Sequence, residues 1–235
     1  MGQLLKLPAR LRVIAGFIEK GAAVADIGTD HGYLPVYLAQ NGLARSIIAS
    51  DISTGSLKSA HRSADKYGVA DKITFVVAPG LSGINKADVD TVVISGLGGE
   101  SIAEILKDST WIKHSGARLI LQPQSKLNKL CCFLRDNDYS IHDARLASDS
   151  GRFYVVILAG GGKSDSILEP EIELLTWLMF KKDPHITDYL NVLIAKTRRT
   201  LDGKEKSGAP DALNTAMRLA VYTDLEEEYK NANSE

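Results

Sequence analysis

Short apolar runs alternate with amphipathic stretches through the first two thirds of the chain. Runs rich in Val, Ile, Leu and Ala, bounded by glycine, proline or aspartate, predict buried strands at residues 22–27, 46–50, 73–77, 91–94 and 118–122. The spacing of the apolar residues that follow these runs predicts helices at residues 33–40, 56–67, 100–107 and 126–135. This alternation indicates an α/β protein with a mostly parallel sheet covered by helices.

The alternation stops after the fifth strand. Two strand-like segments at residues 139–146 and 153–159 are joined by a turn at residues 148–152, which leaves no room for a helix. Five strand–helix units followed by a hairpin predict one antiparallel strand in the sheet. We expect a glycine linker at residues 160–162.

The rest of the chain has helical spacing without strand signals. It predicts a helix at residues 167–182, a second at 186–201, a polar loop at 203–210 and a third helix at 213–225. The last two should form an antiparallel, coiled-coil-like hairpin. We therefore expect a sheet domain over residues 1–160 and a small α-helical domain over residues 161–235.

The chain opens with an amphipathic pattern over residues 4–18, whose polar positions include Arg10. A helix packed on the edge of the sheet with a solvated basic face accounts for this pattern, and contact of Arg10 with RNA is the alternative. A second basic cluster on the helical appendage includes Lys196, Arg198 and Arg199. This cluster fits either a solvated helix face or a grip on phosphates.

Composition limits the classes of function. The 235 residues are 44% apolar and 24% charged, with a formal net charge of −1, so any contact with RNA would need local basic patches. The sequence has no apolar run of about 18 residues and no signal-peptide layout, which predicts a cytoplasmic protein outside the membrane. The two cysteines, Cys131 and Cys132, are adjacent, which suits neither a disulfide nor a metal site.

Residues 25–35, Ala-Asp-Ile-Gly-Thr-Asp-His-Gly-Tyr-Leu-Pro, join the first strand to a helix. Gly28 and Gly32 permit a sharp turn and leave room for a ligand beside the backbone. A strand, a glycine turn and a helix start form a cradle for a nucleotide or nucleoside. Asp26 and Asp30 place carboxylates on that turn. His31 fits either a structural role or a direct contact with a ligand.

The acids of this turn discriminate between cofactors. Asp51 follows the second strand, where an acid binds the ribose hydroxyls of a nucleoside in either class of cofactor. Asp30 stands where a dinucleotide fingerprint has its middle glycine, and a carboxylate beside a pyrophosphate costs several kcal/mol, roughly, in repulsion. Beside a sulfonium or an ammonium group it is favourable. Asp26 and Asp30 therefore favour S-adenosylmethionine over a dinucleotide.

The segment Ser-Gly-Leu-Gly-Gly at residues 95–99 follows the fourth strand. In open α/β sheets the substrate meets the cofactor at this edge. Its glycines would bring backbone groups close to a flat base, and the alternatives are an anion-binding loop or a tight strand-to-helix turn. The terminal hairpin favours the methyltransferase form of the fold, because a dinucleotide dehydrogenase would continue to alternate.

Residues 25–35 resemble the signature of the TrmK family of bacterial tRNA (adenine(22)-N1)-methyltransferases. Further similar segments are Ile-Ala-Ser-Asp-Ile-Ser at 48–53, Gly-Leu-Ser-Gly at 80–83, residues 94–99 and Leu-Ile-Leu-Gln-Pro at 119–123. The resemblance is dense to about residue 160. It implies a Rossmann-like class I methyltransferase domain followed by helices that help to hold tRNA. The chain departs from the family pattern at Pro79, where the family usually has an acid or amide positioned for the adenine of the cofactor, and at Gln124 and Val155.

The resemblance implies S-adenosylmethionine as cofactor and tRNA as substrate, with methylation at N1 of an adenine, adenine 22. Catalytic residues would be Asp30, Ser95 and Gly96. The cofactor would contact Asp26, Gly28, Thr29, Asp30, His31, Gly32, Asp51, Ile52, Ala78, Gly80, Leu81 and Ser95. We expect a monomer without a metal. The alternatives are a relative that binds RNA or nucleosides without catalysis, because of Pro79 and Val155, and an NAD(P)-dependent oxidoreductase.

Overall fold

A seven-stranded sheet with the order β3-β2-β1-β4-β5-β7-β6 forms the centre of the computed structural model, which describes residues 4–164, 166 and 168–232. The strands are β1 (Ala22–Ile27), β2 (Ala44–Asp51), β3 (Thr74–Val77), β4 (Thr91–Gly98), β5 (Arg118–Ser125), β6 (Tyr139–Asp149) and β7 (Arg152–Gly161). The pairs among β1 to β5 are parallel, whereas β7 is antiparallel to both β5 and β6. The mostly parallel sheet with one antiparallel strand is thereby confirmed.

Eight α-helices accompany the sheet in the described residues. They are α1 (Ala9–Ala15), α2 (Tyr33–Gln40), α3 (Thr54–Lys66), α4 (Gly99–Lys107), α5 (Leu127–Asp136), α6 (Pro170–Phe180), α7 (Ile186–Ser207) and α8 (Ala212–Ala232). The predicted positions of α2 to α5 agree with these bounds to within two residues. The expectation of five strand–helix units is wrong at one place, because residues 78–90 connect β3 to β4 as turns and bends without a helix.

Burial explains why the strands appear as continuous apolar runs. All six residues of β1 are buried, and the middle of β4 and of β5 is equally inaccessible. Central parallel strands have both faces covered, so neither face needs polar residues. Residues of α1, α2, β1, β2 and β7 belong to one apolar cluster on this sheet.

The opening helix is shorter than its apolar pattern predicts. It begins at Ala9, directly after Pro8. Residues 4–8 are not helical; Leu4 is exposed and Leu7 is buried. Proline favours an extended conformation in the residue before it, so the expected helix over residues 4–18 is wrong in its first third. It is also wrong at its end, because α1 stops at Ala15.

Two glycine segments expected to be loops belong to strands. The β4 ladder continues to Gly98, with irregularities at residues 95–98, and β7 continues to Gly161, which pairs with Tyr139. The predicted linker at residues 160–162 is therefore wrong. A Cβ atom on Gly161 would collide with the carbonyl group of Lys113, so glycine is required there by close packing rather than by flexibility.

The chain divides into two compact units, Met1–Leu174 and Leu175–Glu235. The expected helix at 167–182 is observed as α6, and Ile167 itself lies outside the described residues. The polar loop predicted at residues 203–210 is wrong, because α7 continues to Ser207 and ends at Gly208, whose φ is +64°. None of the helices in the described residues is long and apolar enough to span a membrane.

Candidate active site

A cavity of about 1070 Å³ lies at the carboxyl ends of the parallel strands β1 to β4, and we call it the strand-end cavity. Its walls include the turn after β1, Asp51, the loop after β3, residues 95–97 and parts of α1 and α4. Every residue predicted to bind the cofactor or to act in catalysis lines it, with the exception of Gly32. The cavity thus lies at the edge of the sheet where open α/β folds bind their ligands.

The turn after β1 is held by the neighbouring strand. The backbone N–H groups of Gly28 and Thr29 both donate to the carbonyl oxygen of Ser50, over 2.8 and 3.0 Å. Gly28 has a φ of +71° and Asp30 a φ of +50°, both in the left-handed region. Glycine is favoured at the first of these positions, while aspartate tolerates the second better than most residues do.

Gly32 serves packing. Its φ is +68°, and a Cβ atom there would lie 2.8 Å from the Cβ of Ala60 on α3. The glycine is thus required by packing, and its contact with a ligand stays a prediction. The glycine lets the start of α2 approach α3, which fixes the direction in which the turn leaves the sheet.

Asp51 ends β2 and organises the middle of the cavity. One of its carboxylate oxygens accepts a hydrogen bond from the backbone N–H of Ser53 at 2.8 Å, and the other accepts from the N–H of Asp30 at 3.2 Å. A carboxylate can accept about four hydrogen bonds, so Asp51 retains acceptor capacity for a ligand.

Asp26 is the buried acid of the cavity, only 4% exposed. Its carboxylate accepts a hydrogen bond from the hydroxyl of Thr29 at 2.7 Å. Burial raises the pKa of Asp26 to about 6, against the opposing influence of the Thr29 hydrogen bond and the positive charge of Arg10. A positively charged ligand group beside Asp26 would therefore be favourable.

Asp30 and His31 lie at the mouth of the cavity. Their side chains are 70% and 56% exposed, and His31 Nε2 lies 3.7 Å from a carboxylate oxygen of Asp30. The His31 ring stacks against the ring of Tyr33, with centroids 5.6 Å apart. These polar and aromatic groups stand where a flat substrate could enter.

Arg10 reaches the cavity from α1. It donates from Nη1 to Oε1 of the fully buried Gln122 at 2.7 Å, and its guanidinium carbon lies 5.8 Å from the centroid of the Tyr154 ring. Gly96 has a φ of +81°, and a Cβ atom there would be 3.4 Å from Arg10 Nη1. The guanidinium thus covers the backbone at Gly96, near the end of β4. The sequence signal for a basic residue on α1 was visible, but its contact with the cavity was not.

The loop after β3 lies against α4. A Cβ atom on Gly80 would be 3.2 Å from Ile105, and Pro79 lines the cavity beside it. Residues 101, 104, 105, 108 and 109 of this helical segment also line the cavity, among them Glu104 and Asp108. Sequence reasoning missed this stripe, although its helical spacing after the glycine segment was a usable signal.

The predicted RNA-binding residues other than Arg10 lie on α7, in the second compact unit. Lys196, Arg198 and Arg199 are all exposed. Lys196 and Arg199 line one shallow groove of about 590 Å³, which Arg198 does not line. Lys204 binds residues next to the turn between α7 and α8. Its ammonium group lies 2.5 Å from Asp211 and donates to Thr215 Oγ1 at 2.9 Å. The same hydrogen bond lowers the pKa of Asp211.

Comparison with known proteins identifies relatives of the whole arrangement. Residues 7–157 match the family described as Methyltransferase domain. The chain is 36% identical over 162 residues to the tRNA (adenine(22)-N(1))-methyltransferase of Bacillus subtilis, covering 69% of this chain and 68% of that protein.

Solved structures extend the similarity to almost the whole chain. The B. subtilis m1A22 tRNA methyltransferase TrmK superposes with a TM-score of 0.82 at 28% identity, over 95% of this chain and 100% of that one. M. capricolum TrmK, solved with the cofactor product S-adenosylhomocysteine, has a TM-score of 0.76 at 27% identity, over 95% and 99% of the two chains.

Proposed function

The chain belongs to the tRNA (adenine(22)-N1)-methyltransferase family, and we propose that it transfers the methyl group of S-adenosylmethionine to N1 of adenine 22 in tRNA. The observation that carries this proposal is the acid-lined cavity at the strand ends, with Asp30 where a pyrophosphate-binding turn would have glycine. A dinucleotide would meet repulsion there, whereas a sulfonium would not.

The cavity suits S-adenosylmethionine in size and in charge. Its volume of about 1070 Å³ is enough for a nucleoside that carries an amino-acid side chain. Asp51 has spare acceptors for the ribose hydroxyls, and Asp26 favours a cation. Pro79, which offers neither a donor nor a side-chain acceptor, lies beside the α4 stripe that contains Glu104 and Asp108. We infer that the family's missing adenine contact can be replaced from that stripe.

The bound cofactor supplies an electrophilic methyl group carried on a sulfonium. N1 of adenine has a lone pair and needs no base before transfer, so the residues of the chain contribute mainly by positioning. Holding two reactants in line can supply roughly 7–11 kcal/mol of the rate acceleration. We assign this work to the backbone of Ser95 and Gly96, which lies at the end of β4 against the guanidinium of Arg10.

Asp30 is the proposed catalytic carboxylate. The methylated base is cationic, and a carboxylate at the mouth of the cavity stabilises that charge as it develops. Its left-handed backbone and its N–H bond to Asp51 hold the turn in place. His31 and Tyr33, stacked beside it, offer an aromatic surface for the base.

We propose that α7 contributes to tRNA binding through Lys196 and Arg199, with Arg198 nearby. Three exposed cations along one helix suit the phosphate backbone of RNA. The target base must also leave its stack, at a cost of roughly a few kcal/mol. A tRNA substrate supports the cytoplasmic location that the sequence predicts, and the monomeric state stays a prediction.

The test is methyl transfer from labelled cofactor to tRNA, followed by mapping of the methylated nucleoside. We expect 1-methyladenosine at position 22 from the wild-type chain. Asp30→Asn keeps a residue that tolerates a left-handed backbone and should lower kcat by a larger factor than it lowers cofactor affinity. Asp71→Asn, an exposed acid outside the cavity, is the control. Cofactor binding without transfer to any RNA would instead favour a non-catalytic relative, and near-normal turnover of Asp30→Asn would refute the role of Asp30.

A further inference from the structure

Arg10 has a different environment from the other basic residues on the surface. It is half-buried, and α1 directs it across the ends of β4 and β5 instead of outwards. Its guanidinium is held from two sides, by the buried amide oxygen of Gln122 and by the face of the Tyr154 ring. Arginine has five N–H donors, and the hydrogen bond to Gln122 uses one of them. Since Arg10 lines the strand-end cavity, it has the donor capacity to bind a ligand there as well.

Arg10 brings a positive charge to a cavity that is lined mainly by acids. The described residues that line it include the acids Asp26, Asp30, Asp51, Glu104 and Asp108, and Arg10 is the one lysine or arginine among them. S-adenosylmethionine carries two positive charges, on its sulfonium and its ammonium group, and one negative charge, on its carboxylate. The acids suit the two cations. The carboxylate would be repelled beside the acids and attracted beside Arg10.

The position of Arg10 along the sheet agrees with the length of this ligand. The proposed function places the ribose of the nucleoside on Asp51, at the end of β2, with the loop after β3 on the far side of Asp51. In the other direction come the end of β1 and then the end of β4, where Arg10 covers Gly96. Two strand spacings separate β2 from β4, or about 10 Å. The methionine chain therefore extends from Asp51 towards Arg10.

We propose that Arg10 binds the carboxylate of the methionine part of S-adenosylmethionine, and that Gln122 and Tyr154 hold its guanidinium in the position this requires. Asp26, whose carboxyl is close enough to sense the charge of Arg10, then lies beside the ammonium group. An anion-binding and a cation-binding side chain together recognise an amino-acid zwitterion. The guanidinium suits the carboxylate because its planar fork can donate two parallel hydrogen bonds.

This inference rests on the proposed function, since it requires S-adenosylmethionine in the cavity, and calorimetry separates the two. Titrate the wild-type chain and Arg10→Gln with S-adenosylmethionine, with decarboxylated S-adenosylmethionine and with methylthioadenosine, which lacks the amino-acid end. We expect Arg10→Gln to bind S-adenosylmethionine about 10- to 100-fold more weakly, as for loss of a charge-assisted hydrogen bond. It should bind the other two ligands as the wild type does.

The control is Arg12→Gln, on the same helix. Arg12 is exposed, donates to the carbonyl oxygen of Leu7 at 2.9 Å and does not line the cavity, so its loss removes an equal charge at a nearby position. Arg12→Gln should leave all three affinities unchanged, and thermal unfolding checks that both variants fold.

Three outcomes overturn the role of Arg10. An equal loss for all three ligands would mean that Arg10 only maintains the shape of the cavity. No loss for any ligand would leave the carboxylate to another group. Unchanged cofactor affinity together with weakened tRNA binding, measured on the same two variants, would return Arg10 to RNA contact. If the wild-type chain binds neither S-adenosylmethionine nor methylthioadenosine, the proposed function itself is wrong.

Discussion

The strand-end cavity and the α7–α8 hairpin differ in how firmly their residues are held by contacts. Around the cavity, main-chain groups and side chains are fixed by several contacts each, as the bonds to Ser50, Asp51 and Gln122 illustrate. In the hairpin, α7 and α8 together span more than 40 residues, yet few of them are buried, namely Ile186, Tyr189, Leu190, Tyr222 and Glu226. Leu213 and Met217 are even exposed on α8, at 70% and 62%.

The difference shows what each region can recognise. A small ligand is recognised by donors and acceptors placed to within a fraction of an ångström, which requires a buried and over-determined frame. A large polyanion is recognised by the charge of an extended surface, which tolerates side-chain motion. We therefore expect substitutions in the cavity to act on geometry and substitutions in the hairpin to act on charge.

The largest expected effect is on cofactor affinity, after loss of the Asp51 carboxylate. Asp51→Ala removes the acceptors for two ribose hydroxyls and frees the N–H groups of Asp30 and Ser53. At roughly 1.5–3 kcal/mol for each charged hydrogen bond, affinity for S-adenosylmethionine should fall by about 100-fold or more. Calorimetry measures this, with Asp71→Ala as control. An effect below tenfold would show that the ribose is held elsewhere.

Substitutions in the hairpin should weaken tRNA binding and leave the affinity for the cofactor unchanged. Replacing Lys196, Arg198 and Arg199 together by glutamine should weaken tRNA binding by about 10- to 100-fold at low salt. The slope of log K against the logarithm of the salt concentration should become shallower by about 2. Lys58, Arg62 and Lys66 on α3 provide a matched triple, because they are also exposed cations on one helix. Equal losses in the two triples would mean that only overall charge matters.

The substitution of glycine by alanine should change the free energy of unfolding in opposite directions in the two regions. Gly32→Ala places a Cβ atom against Ala60 in a left-handed backbone, and should lower the free energy of unfolding by about 2 kcal/mol. Gly203→Ala lies inside α7, where the new Cβ atom meets nothing within 4 Å, and should raise it by about 1 kcal/mol. Urea unfolding compares the two. A loss of stability in both variants would contradict the open packing around Gly203.

A last expected effect is a dependence on pH that belongs to the cavity alone. Burial raises the pKa of Asp26 to about 6 from a model-compound value of 3.8. The folded chain therefore keeps a proton that the unfolded chain loses, and this group's contribution to stability falls as the pH rises from about 4 to about 6. Cofactor affinity should change in the opposite sense, because the ionised carboxylate attracts the ammonium group.

We expect affinity for S-adenosylmethionine to rise by about tenfold between pH 5 and pH 7, since roughly a tenth of Asp26 is ionised at the lower value. Asp26→Asn should remove most of that rise, and calorimetry at several pH values compares the two proteins. Parallel pH profiles would mean that another group is responsible. Binding of tRNA at the hairpin should not share this dependence.

Sequence reasoning was accurate where a local pattern has one structural solution. The apolar run before Gly28 could only be a buried strand, and the spacing of Asp26, Gly28, Asp30 and Asp51 placed them at one edge of a parallel sheet. It failed where backbone glycines have several uses. Residues 95–98 and 160–161 continue strands, and Gly32 serves the contact with α3, because each depends on a neighbour distant in sequence.

The sequence by itself determined the alternation of strands and helices, the terminal hairpin strand and the acids of the glycine turn, since these follow from periodicity and from the order of residues along one segment. Only the tertiary structure decided which side chains share the cavity. Arg10 and Gln122 are 112 residues apart, and α4 contributes a stripe that no motif marks. The pairing of distant segments is set by packing of the whole sheet. For that reason the sequence offered Arg10 only a solvated helix face or contact with RNA, whereas the fold brings it to the end of β4, within electrostatic reach of Asp26.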